Sequence, residues 1–259
     1  MNAAAQRRIR LLGCPVDLLS PRELLADIEQ ALHSNASIRL EGLNVAKLVD
    51  ARRTPSLMQA LEQAERVHID GAGIHLGLRW LNPCVPPRRA GIDLLGDLCA
   101  LAARLDVPIF LLGAKADVVD TTAQRLIERY PGLRIAGVHH GYFKAEEEAG
   151  IAQTIRTSGA KLLFIGISSP KKEQFLHQHW EQLGVNLGMG VGGSFDVLSG
   201  QLPRAPRWVQ RIAMEWCFRM LLEPRRLAWR YLSTNYLYAG LLLAEKIRAV
   251  RAKHRKPTV

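Results

Sequence analysis

The sequence predicts an α/β fold: a mostly parallel sheet with helices on both faces, followed by a C-terminal α-helical appendage. Apolar runs of four to six residues alternate with amphipathic stretches of ten to fifteen residues, which is typical of parallel α/β proteins. Glycine, asparagine or aspartate follows several of the apolar runs, as is common where strands end. Beyond Arg204-Ala205-Pro206 only helical patterns continue. We therefore expect a core over residues 1–200 and an appendage over residues 201–259.

Each element has its own local signal. The predicted strands cover residues 8–12, 37–43, 66–69, 108–112, 133–138, 162–165 and 185–191. The predicted helices of the core cover residues 21–34, 45–53, 72–81, 91–105, 117–130 and 146–157, and a further one begins at residue 171. Ser20, Pro21 and Glu23 form a helix start with a capping serine and a glutamate three residues later. Cys14-Pro15-Val16 is expected to end the first strand. In the appendage, one helix covers residues 208–222 and another ends near residue 251.

In open parallel sheets, ligands bind at the carboxyl ends of the strands. The residues at those ends are therefore the first candidates for a binding site. They are Asn44, Asp70, Gly113, His139, Ser169 and Gly193.

Residues 162–175 carry the clearest anion-binding signal. A buried-type strand ends at Gly166, and Pro170 and Lys171 open a charged helix start. A loop of this kind directs backbone N–H groups and the positive end of a helix at one point, which suits a phosphate.

Asp70 ends a strand and precedes Gly71. Asp-Gly pairs are common in turns, so the aspartate could be a turn residue only. Alternatively, it is a carboxylate held at the ligand edge of the sheet, where it can take a proton from an incoming hydroxyl. The position alone does not decide between the two.

Neither a cofactor nor a metal is indicated. The glycines at residues 188, 190, 192 and 193 do not form the dinucleotide-binding fingerprint, and there is no P-loop. They either bring backbone close to a ligand or pack a central strand tightly. His139 and His140 have no accompanying cluster of ligands at metal-binding spacing.

The appendage holds most of the positive charge. Residues 201–259 carry a net charge of +10, out of +11 for the whole chain. Three of the five Trp and three of the five Tyr residues also lie there. Basic residues with interleaved aromatics fit either nucleic acid or an anionic membrane surface. We favour the membrane and expect no nucleic-acid partner, because no nucleic-acid-binding motif is visible. No run reaches the length of a membrane-spanning helix.

Several stretches, taken in order, resemble the WecG/TagA/CpsF glycosyltransferases, also called glycosyltransferase family twenty-six. The matching stretches are Leu43-Asn44 with Lys47, Asp70-Gly71, Arg88-x-x-Gly91-x-Asp93, Gly113-Ala114, His140-Gly141-Tyr142-Phe143, Gly166-x-x-x-Pro170-Lys171-x-Glu173, Gly190-Val191-Gly192-Gly193-x-Phe195-Asp196, Gly200, Arg204-Ala205-Pro206-x-Trp208, Glu215-Trp216-x-x-Arg219 and Glu223-Pro224-x-Arg226. Each is weak alone, but their order makes the set specific.

The resemblance implies a Rossmann-like core of the GT-E type. It also implies inverting, metal-independent transfer of a sugar from a UDP-sugar to a polyprenyl-diphosphate-linked sugar, by a peripheral protein at the cytoplasmic face of the inner membrane. Asp70 is then the candidate general base. The candidate substrate-binding residues are Asn44, Lys47, Arg88, Gly113, Pro170, Lys171, Lys172, Glu173, Gly192, Gly193, Asp196, Arg219, Arg226 and Arg230. The last three, from the appendage, are candidates to hold diphosphate.

Two departures from the family pattern bear on the donor sugar. Many members have Thr where this chain has Gly42, and many have Gln where it has Lys172. We expect both positions to touch ligand, so the donor could differ from N-acetylmannosamine. The chain looks most similar to GumM-type members, which add glucose to a lipid-linked glucose in xanthan-like exopolysaccharide synthesis.

Three alternatives stay open. The donor could be UDP-N-acetylmannosamine or its uronate, as in teichoic acid or common-antigen synthesis. The protein could be a non-catalytic, membrane-bound accessory subunit, although a scaffold has no need of a carboxylate at Asp70. Binding to nucleic acid would show as salt-dependent retention on DNA.

Overall fold

The structure is a computed structural model that describes residues 7–82, 84–212 and 214–254, without the side chains of residues 226 and 252–254. The strands are β1 (Arg8–Leu11), β2 (Cys14–Asp17), β3 (Ile38–Leu43), β4 (Arg66–Ile69), β5 (Ile109–Gly113), β6 (Ile135–His139), β7 (Leu162–Gly166) and β8 (Leu187–Gly190). β3 to β8 form one sheet in the order β4-β3-β8-β7-β5-β6. Every neighbouring pair in it is parallel. The predicted parallel sheet is therefore confirmed.

The helices of the core are α1 (Pro21–His33), α2 (Val45–Ala51), α3 (Pro55–Gln63), α4 (Ala72–Leu81), α5 (Gly91–Arg104), α6 (Ala116–Arg129), α7 (Glu148–Thr157), α8 (Lys171–Leu183) and α9 (Ser194–Leu198). The capping box predicted for α1 is present, with Ser20 and Glu23 each bonding the other's backbone N–H. α3 was not predicted from the sequence. It begins at Pro55, which suits a first helical turn.

The helices cover both faces of the sheet, as predicted. Strand residues such as Leu111 and Phe164 pack with apolar residues of α1, α5 and α6. Their neighbours Phe110 and Leu163 point the other way and pack with α7 and α8. This alternation is the period of two expected for a strand that is buried on both faces.

The N-terminal segment differs from the prediction. β1 and β2 pair as an antiparallel hairpin outside the parallel sheet, so Cys14-Pro15-Val16 belongs to a second strand and does not end the pairing. Leu12 and Gly13 form the two-residue turn and both have positive φ, 51° and 93°, which matches the twist of a tight hairpin. The Val67 backbone N–H in β4 donates to Asp17 of β2 at 2.6 Å, which ties the hairpin to the edge of the main sheet.

The appendage contains α10 (Arg207–Arg211), α11 (Glu215–Leu222) and α12 (Pro224–His254). The single helix predicted over residues 208–222 is thus wrong, because α10 ends before α11 begins. α12 packs on the core through Tyr238 and Leu242, which are buried in the same apolar cluster as α2, α3 and α4. A separate unit over residues 201–259 stays a prediction. No helix in the described residues is both long and apolar enough to span a bilayer.

Candidate active site

The parallel sheet brings the predicted strand-end residues to one edge. Asn44 follows β3, Asp70 follows β4, and β5, β7 and β8 end in glycine. Because all six strands run the same way, these residues share the carboxyl edge at which ligands bind in open α/β sheets.

Asp70 is held there by the start of a helix. Its Oδ1 accepts a hydrogen bond of 2.7 Å from the backbone N–H of Gly91, the first residue of α5. That N–H has no partner within the helix, so the carboxylate serves as its cap. The other oxygen, Oδ2, lies 3.5 Å from the side-chain nitrogen of Asn44. One oxygen is thus fixed, and the other lies beside a polar side chain in a partly exposed site.

Asn44 is fixed in turn by the start of α2. Its side-chain oxygen caps that helix by accepting from the Lys47 N–H at 3.0 Å. A side chain on Gly71 would lie 2.8 Å from Asn44 Cβ, so the Asp-Gly pair lets the two loops approach closely.

Arg88 connects this edge to the appendage. It donates to the Asp70 backbone carbonyl at 3.2 Å and to Glu215 of α11 at 2.6 Å. A single guanidinium therefore bridges the strand end that carries Asp70 and the C-terminal helices.

Glycines permit close backbone packing elsewhere on this edge. Gly113 has a φ of +140°, and a Cβ on it would lie 2.5 Å from the backbone of Gly166. Gly193 lies under the guanidinium of Arg219, whose Nη2 would be 1.8 Å from an added Cβ. Asp196 Oδ2 would lie 3.1 Å from the same point. The structure thus brings Arg219 of the appendage to the turn that contains Gly192, Gly193 and Asp196.

Lys47, Lys172 and Glu173 lie in a buried ionic network. Lys47 donates to Glu41 at 2.5 Å and lies 3.0 Å from a carboxylate oxygen of Glu173. Lys172 donates to the same oxygen of Glu173. All four side chains are at least nine-tenths buried. The side chain of Lys172 fits there because residue 190 is glycine: a Cβ on Gly190 would lie 2.3 Å from Lys172 Cε. The charged groups of these four side chains are thus paired with one another in the interior and are not exposed at the carboxyl edge of the sheet.

Burial and the neighbouring charges act in opposite directions on this network. Burial raises the pKa of Glu173, but Lys47 and Lys172 outweigh it, so the pKa lies well below its usual range. Burial lowers the pKa of Lys47, but Glu41 and Glu173 outweigh it, so the pKa is raised. The pKa of Lys172 is lowered, first by burial and then by the charge of Lys47.

The remaining predicted binding residues lie in two places. Lys171 donates to the Phe143 carbonyl at 2.6 Å and stacks over the Phe143 ring, which links the start of α8 to the loop after β6. Pro170 precedes that helix and follows a cis peptide bond. Arg230 pairs with Asp50 of α2 at 2.7 Å. Arg226 lies in α12, but its side chain is outside the described residues.

The described part of the chain contains no group of three or more His, Cys, Asp or Glu residues that could hold a metal ion. His139 donates to the His140 carbonyl at 2.8 Å, and His140 accepts from the Tyr142 N–H at 3.3 Å. Both histidines have local partners in the loop.

His68 was not predicted as a site residue. It lies two residues before Asp70 on β4, hence on the same face of the strand, and it is buried. Burial, and secondarily the charge of Lys47, lower the pKa of its imidazole, against the opposing effect of Asp70 and Glu41. The sequence does place His68 two residues before a strand-end carboxylate. That spacing is too common to indicate a site residue.

The described residues thus form a parallel α/β core with a carboxylate at its ligand edge and with Arg219 of α11 over the turn that contains Gly193. The model of the glycosyl transferase WecG/TagA/CpsF family matches residues 9–252, and the chain belongs to that family. It is therefore a glycosyltransferase.

One curated relative is the N-acetylglucosaminyldiphosphoundecaprenol N-acetyl-beta-D-mannosaminyltransferase of Bacillus subtilis (strain 168). It is 33% identical over 177 residues, which is 68% of this chain and 68% of the relative.

Proposed function

We propose that this protein transfers a sugar, with inversion, from a UDP-sugar to a polyprenyl-diphosphate-linked sugar, with Asp70 as the general base. The observation that carries the proposal is the arrangement of Asp70 in a member of a glycosyltransferase family. One oxygen is fixed by the start of α5 and the other lies beside Asn44 at the edge of the sheet. Such a carboxylate can take the proton of an acceptor hydroxyl as that hydroxyl attacks the anomeric carbon.

The departing UDP needs charge stabilisation, which cationic side chains and helix starts provide without a metal. Arg219 over Gly193 supplies one cation from the appendage. Lys171 lies at the start of α8, and Arg230 lies on α12 within reach of α2. We propose that these groups hold diphosphate, and that Arg88 keeps the appendage close to Asp70.

The donor we propose is an N-acetylmannosamine-type UDP-sugar, with a lipid-linked N-acetylglucosamine as acceptor. The Bacillus subtilis relative, which is named as an N-acetylmannosaminyltransferase, supports this alternative over the glucose donor and xanthan-like product expected from the resemblance to GumM-type members. The structure also weakens the reason for expecting glucose. Gly42 lies under the ring of His68, and Lys172 is buried in the ionic network, so neither difference presents a side chain to an open site.

We further propose that the protein lies peripherally on the cytoplasmic face of the inner membrane, with α12 against the lipid. Exposed apolar side chains recur at helical spacing on α12, at Trp229, Leu232, Tyr236, Leu243, Ile247 and Val250. Trp229 and Tyr236 are 82% and 85% exposed. Large aromatics of this kind favour the membrane interface, and the positive charge of the appendage favours anionic lipid.

The test is a panel of UDP-sugars, namely those of N-acetylmannosamine, its uronate and glucose, each offered with a lipid-linked N-acetylglucosamine or glucose. Transfer from UDP-N-acetylmannosamine to the N-acetylglucosamine lipid is the expected result. Transfer of glucose alone would overturn the donor assignment. No transfer with any combination by a folded, vesicle-bound protein would favour the accessory-subunit alternative.

A further inference from the structure

Helix α4 of the core carries exposed apolar side chains beside the appendage. Leu76 and Trp80, one helical turn apart, are 60% and 46% exposed. On the inner side of the same helix, Ile74 and Leu78 are buried in the core. Single exposed apolar residues are common, but adjacent large ones that continue a wider apolar surface indicate contact with a partner.

Lys246 of α12 joins this part of α4 to the exposed apolar side of α12. Its Nζ donates to the Trp80 carbonyl at 2.7 Å and lies 5.7 Å from the centre of the Trp80 ring. Residues three or four apart are neighbours on a helix surface, so Lys246 lies beside Leu243 and Val250, which are both exposed. Trp80 therefore borders the side of α12 that carries exposed apolar residues, and α4 continues that surface onto the core.

Cations surround this surface. Arg79 is exposed in the last turn of α4, and Arg248 is exposed on α12, while Lys246 holds its ammonium group at the Trp80 ring. Tryptophan beside Lys and Arg is typical of a surface that lies in the headgroup region of an anionic bilayer. A second copy of this chain is a poorer partner, because face-to-face pairing would bring the same cations together.

We infer that α4 contacts the membrane together with α12, so that the core itself binds an anionic bilayer through Leu76 and Trp80. The inference rests on the proposed function, to which it adds a second lipid contact. α4 begins at Ala72, directly after Asp70 and Gly71. Since a helix rises 1.5 Å per residue, Trp80 lies about 12 Å along the helix axis from that start. The helix thus holds Asp70 at a short, fixed distance from the lipid that carries the acceptor.

The experiment uses the full chain with Leu76→Ser and Trp80→Ser combined, called the α4 variant. We expect its binding to vesicles of phosphatidylglycerol and phosphatidylcholine to weaken at least about fivefold, because two apolar side chains no longer enter the lipid. The melting temperature should stay close to that of wild type, since both side chains are exposed. The Lys246 hydrogen bond survives, because its acceptor is the backbone of residue 80.

Two single variants are matched to it. Ile127→Ser removes an exposed apolar side chain from α6, away from this surface, and should bind vesicles like wild type. Arg79→Gln should weaken binding about two- to fivefold on the anionic vesicles and leave binding to pure phosphatidylcholine unchanged, because it removes one charge near the lipid surface.

Turnover gives a second readout. With a lipid-linked acceptor embedded in anionic vesicles, we expect the α4 variant to lose activity in parallel with its binding. With the same sugar diphosphate on a short, water-soluble chain, its kcat and KM should equal those of wild type, because the substitutions affect only the contact with lipid.

Wild-type vesicle binding by the α4 variant would overturn the inference, as would an equal loss in Ile127→Ser. A variant that binds vesicles normally but has lost self-association in analytical ultracentrifugation would assign this face to a second copy of the chain instead. Failure of the wild type to transfer sugar to either acceptor would overturn the proposed function, whereas the vesicle assay decides on α4 by itself.

Discussion

At the level of single residues, one oxygen of Asp70 caps a helix, and the other is the one that we propose takes the proton of the acceptor. Oδ1 caps α5 through Gly91, and an asparagine oxygen can accept the same hydrogen bond. Asp70→Asn should therefore stay folded while losing the base. We expect kcat to fall by about 10² to 10⁴, the usual contribution of general-base catalysis, with little change in UDP-sugar affinity. Turnover with the lipid-linked acceptor and calorimetric titration with the UDP-sugar measure the two effects.

The matched control is Asp106→Asn. Asp106 precedes β5, at the opposite end of the sheet, and forms an exposed pair with Arg134. We expect wild-type turnover from it, because exposed pairs contribute little. Wild-type turnover from Asp70→Asn would exclude Asp70 as the base.

Glu173 is the centre of the buried network, since both Lys47 and Lys172 contact one of its oxygens. Glu173→Gln leaves two buried ammonium groups with one carboxylate between them, so we expect a loss of about 3–5 kcal/mol in the free energy of unfolding. Lys172→Gln should cost less, because an amide can still donate to Glu173 and burial already disfavours the ammonium of Lys172. Urea unfolding of the two variants measures both losses. A larger loss in Lys172→Gln than in Glu173→Gln would contradict the central position of the Glu173 charge.

The same network predicts how stability depends on pH. The pKa of Glu173 in the folded protein is below its ordinary value of 4.5. Its contribution to stability is therefore complete above about pH 4.5 and is lost as the pH falls toward the folded pKa. The difference in unfolding free energy between wild type and Glu173→Gln should be constant near neutral pH and shrink on acidification. A difference that grows on acidification would contradict the direction of the shift.

At the level of elements, α12 presents different residues to the core and to the outside. Tyr238 and Leu242 pack on the core, whereas Trp229 and Tyr236 are exposed. Replacing both exposed aromatics by serine should weaken binding to anionic vesicles by at least about tenfold, because each buried aromatic contributes on the order of 2 kcal/mol. Co-sedimentation with vesicles measures the change.

The control for α12 is Ile127→Ser, which removes an exposed apolar side chain from α6 of the core. We expect its vesicle binding to equal that of wild type. Equal loss in the control, or full binding by the double serine variant, would show that α12 does not contact the lipid.

The elements also show how far the sequence could be interpreted. The strand ends at Gly113 and Gly166 were found because β5 and β7 are continuous apolar runs that end in glycine. The hairpin β1–β2 was missed because its turn residue Leu12 adopts a positive φ that leucine rarely takes. The burial of Lys172 was missed because a charged run at a helix start normally faces water. Gly190, which is distant in the sequence, makes room for the Lys172 side chain, and Glu173 and Glu41 balance its charge.

On the scale of the whole molecule, the appendage is held on the core by contacts that no local pattern predicts. Three ion pairs each join a core residue to the appendage: Arg88 with Glu215, Arg204 with Asp93, and Arg230 with Asp50. Such pairs depend on the tertiary structure, whereas sequence periodicity reports only which face of an element is apolar. Of the arginines expected to hold diphosphate, Arg230 is thus positioned by a carboxylate of the core.

The contact between α4 and α12 gives the most direct test of whether this docking matters for function. A Cβ on Gly77 of α4 would lie 2.1 Å from the Tyr238 hydroxyl and 2.9 Å from Leu242. Gly77→Ala should therefore displace α12 at a cost of about 1–3 kcal/mol. We expect faster proteolysis of the appendage and lower turnover, because Arg219 and Arg230 would no longer be held near the sheet.

Gly240→Ala is the matched control, since Gly240 lies in α12 itself, and an added Cβ there would have no atom of another described element within 4 Å. Alanine there should stabilise the helix by up to about 1 kcal/mol and leave turnover unchanged. If Gly77→Ala loosened α12 but left turnover at the wild-type level, the appendage would not contribute to the active site. If it reduced turnover without loosening α12, the effect would have to arise within α4.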